Sequence, residues 1–215
     1  EARYARPGED VPDLERHGSV DIIDPASVAV NTALDAQPGE RILDLAAAPG
    51  GKTRALADAV GTGGLVVGAD VHARRLDRAR RRSRDFEQIR WVRVDGRQPS
   101  FAEGSFDRVL LDAPCTGLGT LRRRPEIRFR FEPAAPGRYG ELQGQLLDAA
   151  MSLVRPGGRL VYSVCTPFLA ETVDVVAGRG FSPPDVPSAP RHGDGVLLGP
   201  DTTGTDGMFI AVWQP

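Results

Sequence analysis

Apolar positions along the chain follow two rhythms that take turns. Short apolar or alternating runs at 41–46, 65–70, 89–94, 106–112 and 159–164 read as strands, and 208–213 alternates like a last strand. Between them, apolar residues recur every three or four positions, predicting helices over 25–36, 52–60, 73–84, 139–154 and 170–177. Asp24 is a natural N-cap for the first of these, with proline at the first helical position. Pro156-Gly157-Gly158 predicts a turn, and 183–190 a proline-rich surface loop. Residues 1–20 are polar without periodicity and read as an N-terminal extension to a domain over 21–215. Strands alternating with helices predict a doubly wound α/β domain, its sheet mostly parallel and covered on both faces. Ligands of such folds bind beyond the C-terminal ends of the strands. Asp44, Asp70, Asp95, Asp112 and Cys165 all fall there.

A chain of 215 residues suffices for one full domain with its own core. Glu1 in place of Met suits a piece of a longer protein. No run approaches the ~18 apolar residues of a membrane span, and no charged-then-apolar leader is present, so a cytoplasmic location is expected. In that setting Cys115 and Cys165 are expected to be thiols. Two cysteines and three histidines make a structural zinc site a poor expectation. The net charge of −2 argues against capture of nucleic acid by bulk electrostatics. The arginines are clustered, however, at 74–84 and 122–130. The first cluster reads as the solvated face of a helix. The second either lines a phosphate path through Arg122, Arg123, Arg124 and Arg128 or forms a structural loop paired with local acids such as Glu126. Lys52 is the single lysine among 27 basic residues, which suits a site that needs a compact ammonium.

The segment from Asp44 to Thr53 (DLAAAPGGKT) joins a strand to a helix, and its small residues allow close approach of a ligand to the backbone. Its Gly51-Lys52-Thr53 ending mimics a phosphate-binding loop, but Ala46 stands where that pattern requires glycine. A dinucleotide-type glycine fingerprint is absent as well. Asp70 is suited to accept both hydroxyls of a ribose, and Asp95, before Gly96, to hold an adenine edge. That set fits adenosine without a polyphosphate, as in S-adenosylmethionine.

Two cysteine motifs follow: Asp112 to Thr120 (DAPCTGLGT) and Tyr162 to Thr166 (YSVCT), with Glu171 shortly after. Together with DLAAAPGGKT, the Asp24-Pro25-Ala26-Ser27 segment and the tail Thr205 to Phe209, they resemble the bacterial Sun/RsmB group of RNA (cytosine-5)-methyltransferases over roughly residues 20–213. Thr203 departs from the histidine of that family's last motif. The resemblance implies a Rossmann-like methyltransferase domain with a seven-stranded, mostly parallel sheet and an antiparallel last strand. It implies S-adenosylmethionine held by Asp44, Ala46, Ala47, Ala48, Pro49, Gly50, Gly51, Lys52, Asp70, Arg75, Asp95, Gly96, Asp112 and Pro114. It makes Cys165 the nucleophile, Cys115 the group that assists release, and Lys52 and Asp112 active-site residues beside the base. The expected substrate is RNA, 16S ribosomal RNA first and transfer RNA as the alternative, handled by a monomer without metal or membrane. Two other readings stay open: a non-catalytic module binding S-adenosylmethionine or RNA, and a methyltransferase acting on protein or a small molecule.

Overall fold

The computed structural model describes residues 23–215, so the expected extension at 1–20 lies outside the described residues. Helix α1 (Pro25–Leu34) starts where Asp24, in extended backbone, accepts the Ala26 N–H at 2.9 Å. It stops when Asp35 turns left-handed at φ 55°, which closes the helix ahead of the expected residue 36. Then come β1 (Arg41–Asp44), α2 (Gly51–Val60), β2 (Leu65–Asp70), α3 (Ala73–Arg82), β3 (Ile89–Arg93) and β4 (Phe106–Asp112). Two 3-10 segments, Leu118–Thr120 and Pro125–Arg130, precede α4 (Ala135–Leu153) and β5 (Val154–Val164). A 3-10 turn at Leu169–Glu171, the short α5 (Val173–Val176), β6 (Arg191–His192), β7 (Gly195–Leu198) and β8 (Met208–Trp213) complete the chain.

The strands form one sheet in the order β3-β2-β1-β4-β5-β8-β7-β6. The first five are parallel, and β8 joins β5 antiparallel. The sheet has eight strands where seven are expected, because the Gly193 turn lets 191–198 fold into a small antiparallel hairpin at the edge. Successive residues of a strand face opposite sides. Leu43, Val109, Leu111 and Tyr162 pack on Leu146, Leu147 and Ala150 of α4. Ile42, Val66, Leu110 and Val161 pack on the other side against Val30 and Leu34 of α1 and Leu56 and Val60 of α2.

The helix expected over 170–177 is instead a 3-10 turn at Leu169–Glu171 followed by the four-residue α5, and two further expectations change for local reasons. Helix α4 begins at Ala135 rather than 139, since a proline in the first turn, here Pro136, gives up only an N–H that has no helical partner. The expected turn at Pro156-Gly157-Gly158 lies inside β5, where the register against β4 jumps from Phe106↔Val154 to Arg108↔Arg159. The extra residues are taken up as a bulge, with Gly157 at φ 73°. The strand order reverses between β1 and β4, and their C-terminal ends open the crevice where this architecture binds ligands.

Candidate active site

At that crevice, Asp44 ends β1, Asp112 ends β4, and Cys165 follows the last residue of β5. Asp44 is fully buried and accepts a hydrogen bond from Thr53 Oγ1 at 2.6 Å, which ties the end of β1 to the first turn of α2. Burial pushes its carboxyl up to about 7, and the Thr53 hydrogen bond and Lys52 only partly offset this. Leu45 donates its N–H to the Leu110 carbonyl, continuing the parallel ladder, while Ala46 packs on the core. Ala47 donates to the Ala69 carbonyl at 2.9 Å and accepts from Gly50 at 2.8 Å, so the loop folds back over the end of β2. There the Ala48 N–H reaches Asp70 Oδ2 at 3.2 Å, and Arg75 grips the Ala48 carbonyl. Arg75 also pairs with Asp70 at 3.6 Å. Pro49 is exposed on the outer bend.

Gly50 caps α2 at φ 98°, with the Trp91 ring so close that a Cβ would sit 2.9 Å from it. Trp91 is itself fixed by donating from Nε1 to Ser83 Oγ at 2.8 Å. The sequence reading missed this brace, because Trp91 stands 41 positions further along the chain in a strand that looks ordinary. Asp95 lies beyond β3 with its carboxylate gripped by Arg97 at 2.6 Å, which holds it down at about 2. A cleft of about 510 Å³ opens beside it toward Gln145 and Asp148 of α4. Gly96 lies against Leu45 and Leu146.

Lys52, at the start of α2, donates to Asp112 Oδ2 at 2.8 Å. Burial alone would lower the lysine, but the charge and hydrogen bond of Asp112 outweigh it, and the ammonium is held above its ordinary value. Asp112 Oδ1 accepts from Ser163 Oγ at 2.8 Å. The side chain keeps 30% exposure toward the crevice.

The two cysteines are free thiols whose sulfurs are 3.4 Å apart. Their surroundings push the two thiols in opposite directions. The hydrogen bond from Cys115 lowers Cys165 below the ordinary thiol value, with help from Lys52 and against burial and Asp112. The same bond, together with burial, raises Cys115 well above it. The two shifts favour Cys165 as the acceptor of the pair and Cys115 as its donor.

A buried carboxylate that sequence reading mentioned without a role holds the two cysteine loops together. Glu171 has no exposure. Its Oε2 accepts from the Thr116 N–H at 2.8 Å and from Gln143 Nε2 at 3.2 Å. Its Oε1 accepts from Thr116 Oγ1 at 2.6 Å and Thr166 Oγ1 at 3.1 Å. Gln143 also donates to the Pro114 carbonyl at 2.8 Å, and Tyr162 OH to the Glu171 carbonyl at 2.7 Å. The available signal was a glutamate in an otherwise mostly uncharged stretch and a glutamine on the apolar face of α4. Backbone contact completes the clasp. Gly119 donates to the Cys165 carbonyl at 2.9 Å and accepts from Gly207 at 2.8 Å. A Cβ at Gly119 would stand 2.2 Å from the Gly207 carbonyl oxygen, so only glycine fits.

The arginine run divides. Arg122 pairs with Asp24 at 3.2 Å, and Arg123 donates to Asp206 Oδ2 at 2.7 Å. Asp24 also accepts the Asp206 N–H at 3.2 Å. These two arginines thus fasten the start of α1 to the segment before β8 through nearly buried acids, while their own side chains stay about half exposed. Arg124 pairs with Glu126 at 3.3 Å, the local pairing weighed from sequence, and Arg128 lies over the Phe129 ring.

The crevice offers carboxylates at four neighbouring strand ends, Asp70 paired with Arg75, Asp95 with Arg97 and Asp112 with Lys52. That set of acceptors fits a nucleoside with free ribose hydroxyls. Asp44, Asp70 and Asp95 with the 46–51 loop would hold it. Among the described residues no group of three or more His, Cys, Asp or Glu side chains is placed for a metal ion, and no helix is long and apolar enough to cross a membrane.

Residues 31–214 match the family model described as 16S rRNA methyltransferase RsmB/F. The chain is 39% identical over 195 residues to ribosomal RNA small subunit methyltransferase B of Thermus thermophilus, covering 87% of this chain and 48% of that protein. It is 37% identical over 166 residues to human tRNA (cytosine(72)-C(5))-methyltransferase NSUN6, covering 70% and 35%. Among solved structures, NSun6 of Pyrococcus horikoshii with SFG superposes with a TM-score of 0.83 at 25% identity, covering 96% of this chain and 56% of that one. SFG is an S-adenosylmethionine analogue. The chain spans about half the length of the curated relatives it matches.

Proposed function

The chain belongs to the RsmB/F methyltransferase family, and on that premise we propose that it methylates carbon 5 of a cytosine in RNA through a covalent adduct with Cys165. The observation that carries this reading is the cysteine pair, its sulfurs 3.4 Å apart beside the Lys52–Asp112 ion pair, with Cys165 held below and Cys115 above the ordinary thiol value. A merely structural thiol has no use for such a neighbour. S-adenosylmethionine, when bound, would supply an electrophilic methyl group, whose bond to sulfur breaks with the electron pair left on that sulfur.

Carbon 5 of cytosine is a weak nucleophile until carbon 6 is saturated. The Cys165 thiolate adds to carbon 6, and the electron pair of the C5–C6 double bond moves to carbon 5, where the new carbon–methyl bond forms. Asp112 accepts a hydrogen bond from the exocyclic amine, which selects cytosine over uracil. Lys52 keeps that carboxylate in place and lends its charge to the thiolate. Once Cys165 sulfur is bound to carbon it no longer accepts from Cys115. The chief cause of the raised Cys115 value is then gone, so Cys115 gives its own proton to solvent and, as the thiolate, takes the carbon 5 proton. The C–H pair re-forms the double bond, and the C–S pair returns to Cys165. The target base leaves its stack to reach this depth.

Small-subunit ribosomal RNA is the substrate read from the family; transfer RNA is the second reading, favoured by the match to the human tRNA enzyme. Residues 21–215 form the catalytic domain of this reading. The test is transfer of labelled methyl from S-adenosylmethionine to unmodified ribosomal and transfer RNA, wild type beside Cys165→Ala. Label in 5-methylcytosine from wild type alone supports the reaction and the nucleophile. Equal transfer by Cys165→Ala overturns the covalent route.

A further inference from the structure

The chemistry above makes no use of Phe129, yet at 78% exposure its ring faces water more fully than that of the other exposed large hydrophobic side chains among the described residues. It belongs to the 3-10 segment Pro125–Arg130. Both sides of this segment are fastened to the cysteine loops. Ile127 Cδ1 lies where a Cβ on Gly117, two residues past Cys115, would touch it at 3.5 Å. Phe131 stacks on Phe168, three residues past Cys165, with centroids 5.5 Å apart and planes within 10°. Phe129 stands in sequence between these two supports, on a segment anchored beside both cysteine loops.

The Arg128 guanidinium lies 4.6 Å from the Phe129 ring centroid. The ring thus carries a cation on one side, and Arg130 adds a second positive charge in the same segment. An aromatic face beside arginines is the combination that single-stranded nucleic acid recognises: a base stacks on the ring and the neighbouring phosphates meet the cations. A cytosine drawn out of its stack leaves an adjacent base with one face uncovered. We propose that Phe129 is the stacking platform for a nucleotide flanking the target cytosine, with Arg128 contacting the adjoining phosphate. This rests on the reading of RNA as the substrate.

The test is steady-state methyl transfer to an RNA fragment, with Phe129→Ala and Phe129→Trp beside wild type. Loss of stacking on one base corresponds to roughly 5- to 150-fold in affinity. Phe129→Ala is expected to raise the KM for RNA about tenfold, leaving the KM for S-adenosylmethionine and kcat at saturating RNA near wild type. Phe129→Trp is expected to restore the RNA KM, as a structural or purely steric role would not. An unchanged RNA KM in Phe129→Ala, or a Trp variant as poor as the Ala variant, overturns the platform. Wild type that methylates no RNA overturns the underlying reading instead, so the two failures are told apart.

Discussion

Replacing Glu171 separates the two cysteine loops without touching either cysteine. In Glu171→Ala the Thr116 N–H loses its acceptor, Gln143 Nε2 loses one of two acceptors, the Thr116 hydroxyl one of two partners and the Thr166 hydroxyl one of three. A buried donor left unsatisfied costs about 1–3 kcal/mol, and the weakened neighbours bring the total to roughly 2–4 kcal/mol. For a domain of this size, that lowers Tm by roughly 5–15 °C. Glu171→Gln is a different perturbation. Its amide oxygen can face the Thr116 N–H and Gln143, while its NH2 faces two hydroxyls that are able to accept. Only the charge-assisted part is lost, about 1 kcal/mol. Thermal unfolding of the three proteins by circular dichroism measures this. A Glu171→Ala protein melting with wild type, or a Gln variant as damaged as the Ala variant, would refute the clasp.

The remaining predictions concern protons. Because Cys115 donates to Cys165, the midpoint of Cys165 alkylation by iodoacetamide against pH lies below the ordinary thiol value and moves upward in Cys115→Ala; an unmoved midpoint would show that the lowering has another source. Asp44 has a folded-state value raised from 3.8 to about 7, so the fold binds its proton more tightly than the unfolded chain does. Its contribution to stability is full below about pH 4 and is lost as pH rises through 7, with a slope of up to about 1.4 kcal/mol per pH unit between them. The stability difference between wild type and Asp44→Asn, measured by urea unfolding at several pH values, therefore shifts toward the Asn variant as pH rises, and a constant difference contradicts this.

Much of the fold was legible because periodicity and strand-end residues are local signals. The six strands read from alternation each fall on an observed strand, and Asp24 caps the helix predicted for it. The hairpin at 191–198 escaped notice because a strand as short as Arg191–His192 has no period to detect. The bulge in β5 looked like a turn because Pro-Gly-Gly serves either purpose, and only pairing with β4 decides between them. In the site, Cys115 meets Cys165 and Lys52 meets Asp112. What failed to show was long-range pairing. Arg122 finds Asp24 across 98 positions, Arg123 finds Asp206 across 83, and Glu171 finds Thr116 across 55. An arginine run reads the same in sequence whether its partners are phosphates or distant carboxylates. The aromatic residue within that run, Phe129, stands out only once its exposure is known.

The central claim is that Cys165 bonds to the target cytosine and Cys115 lets it go. Its most direct test is mass spectrometry of Cys115→Ala after incubation with S-adenosylmethionine and substrate RNA. An accumulating protein–RNA adduct is expected, its peptide carrying methylated cytosine on Cys165, and a second Cys165→Ala change abolishes it. Normal turnover by Cys115→Ala with no adduct, or an adduct at another residue, would contradict it.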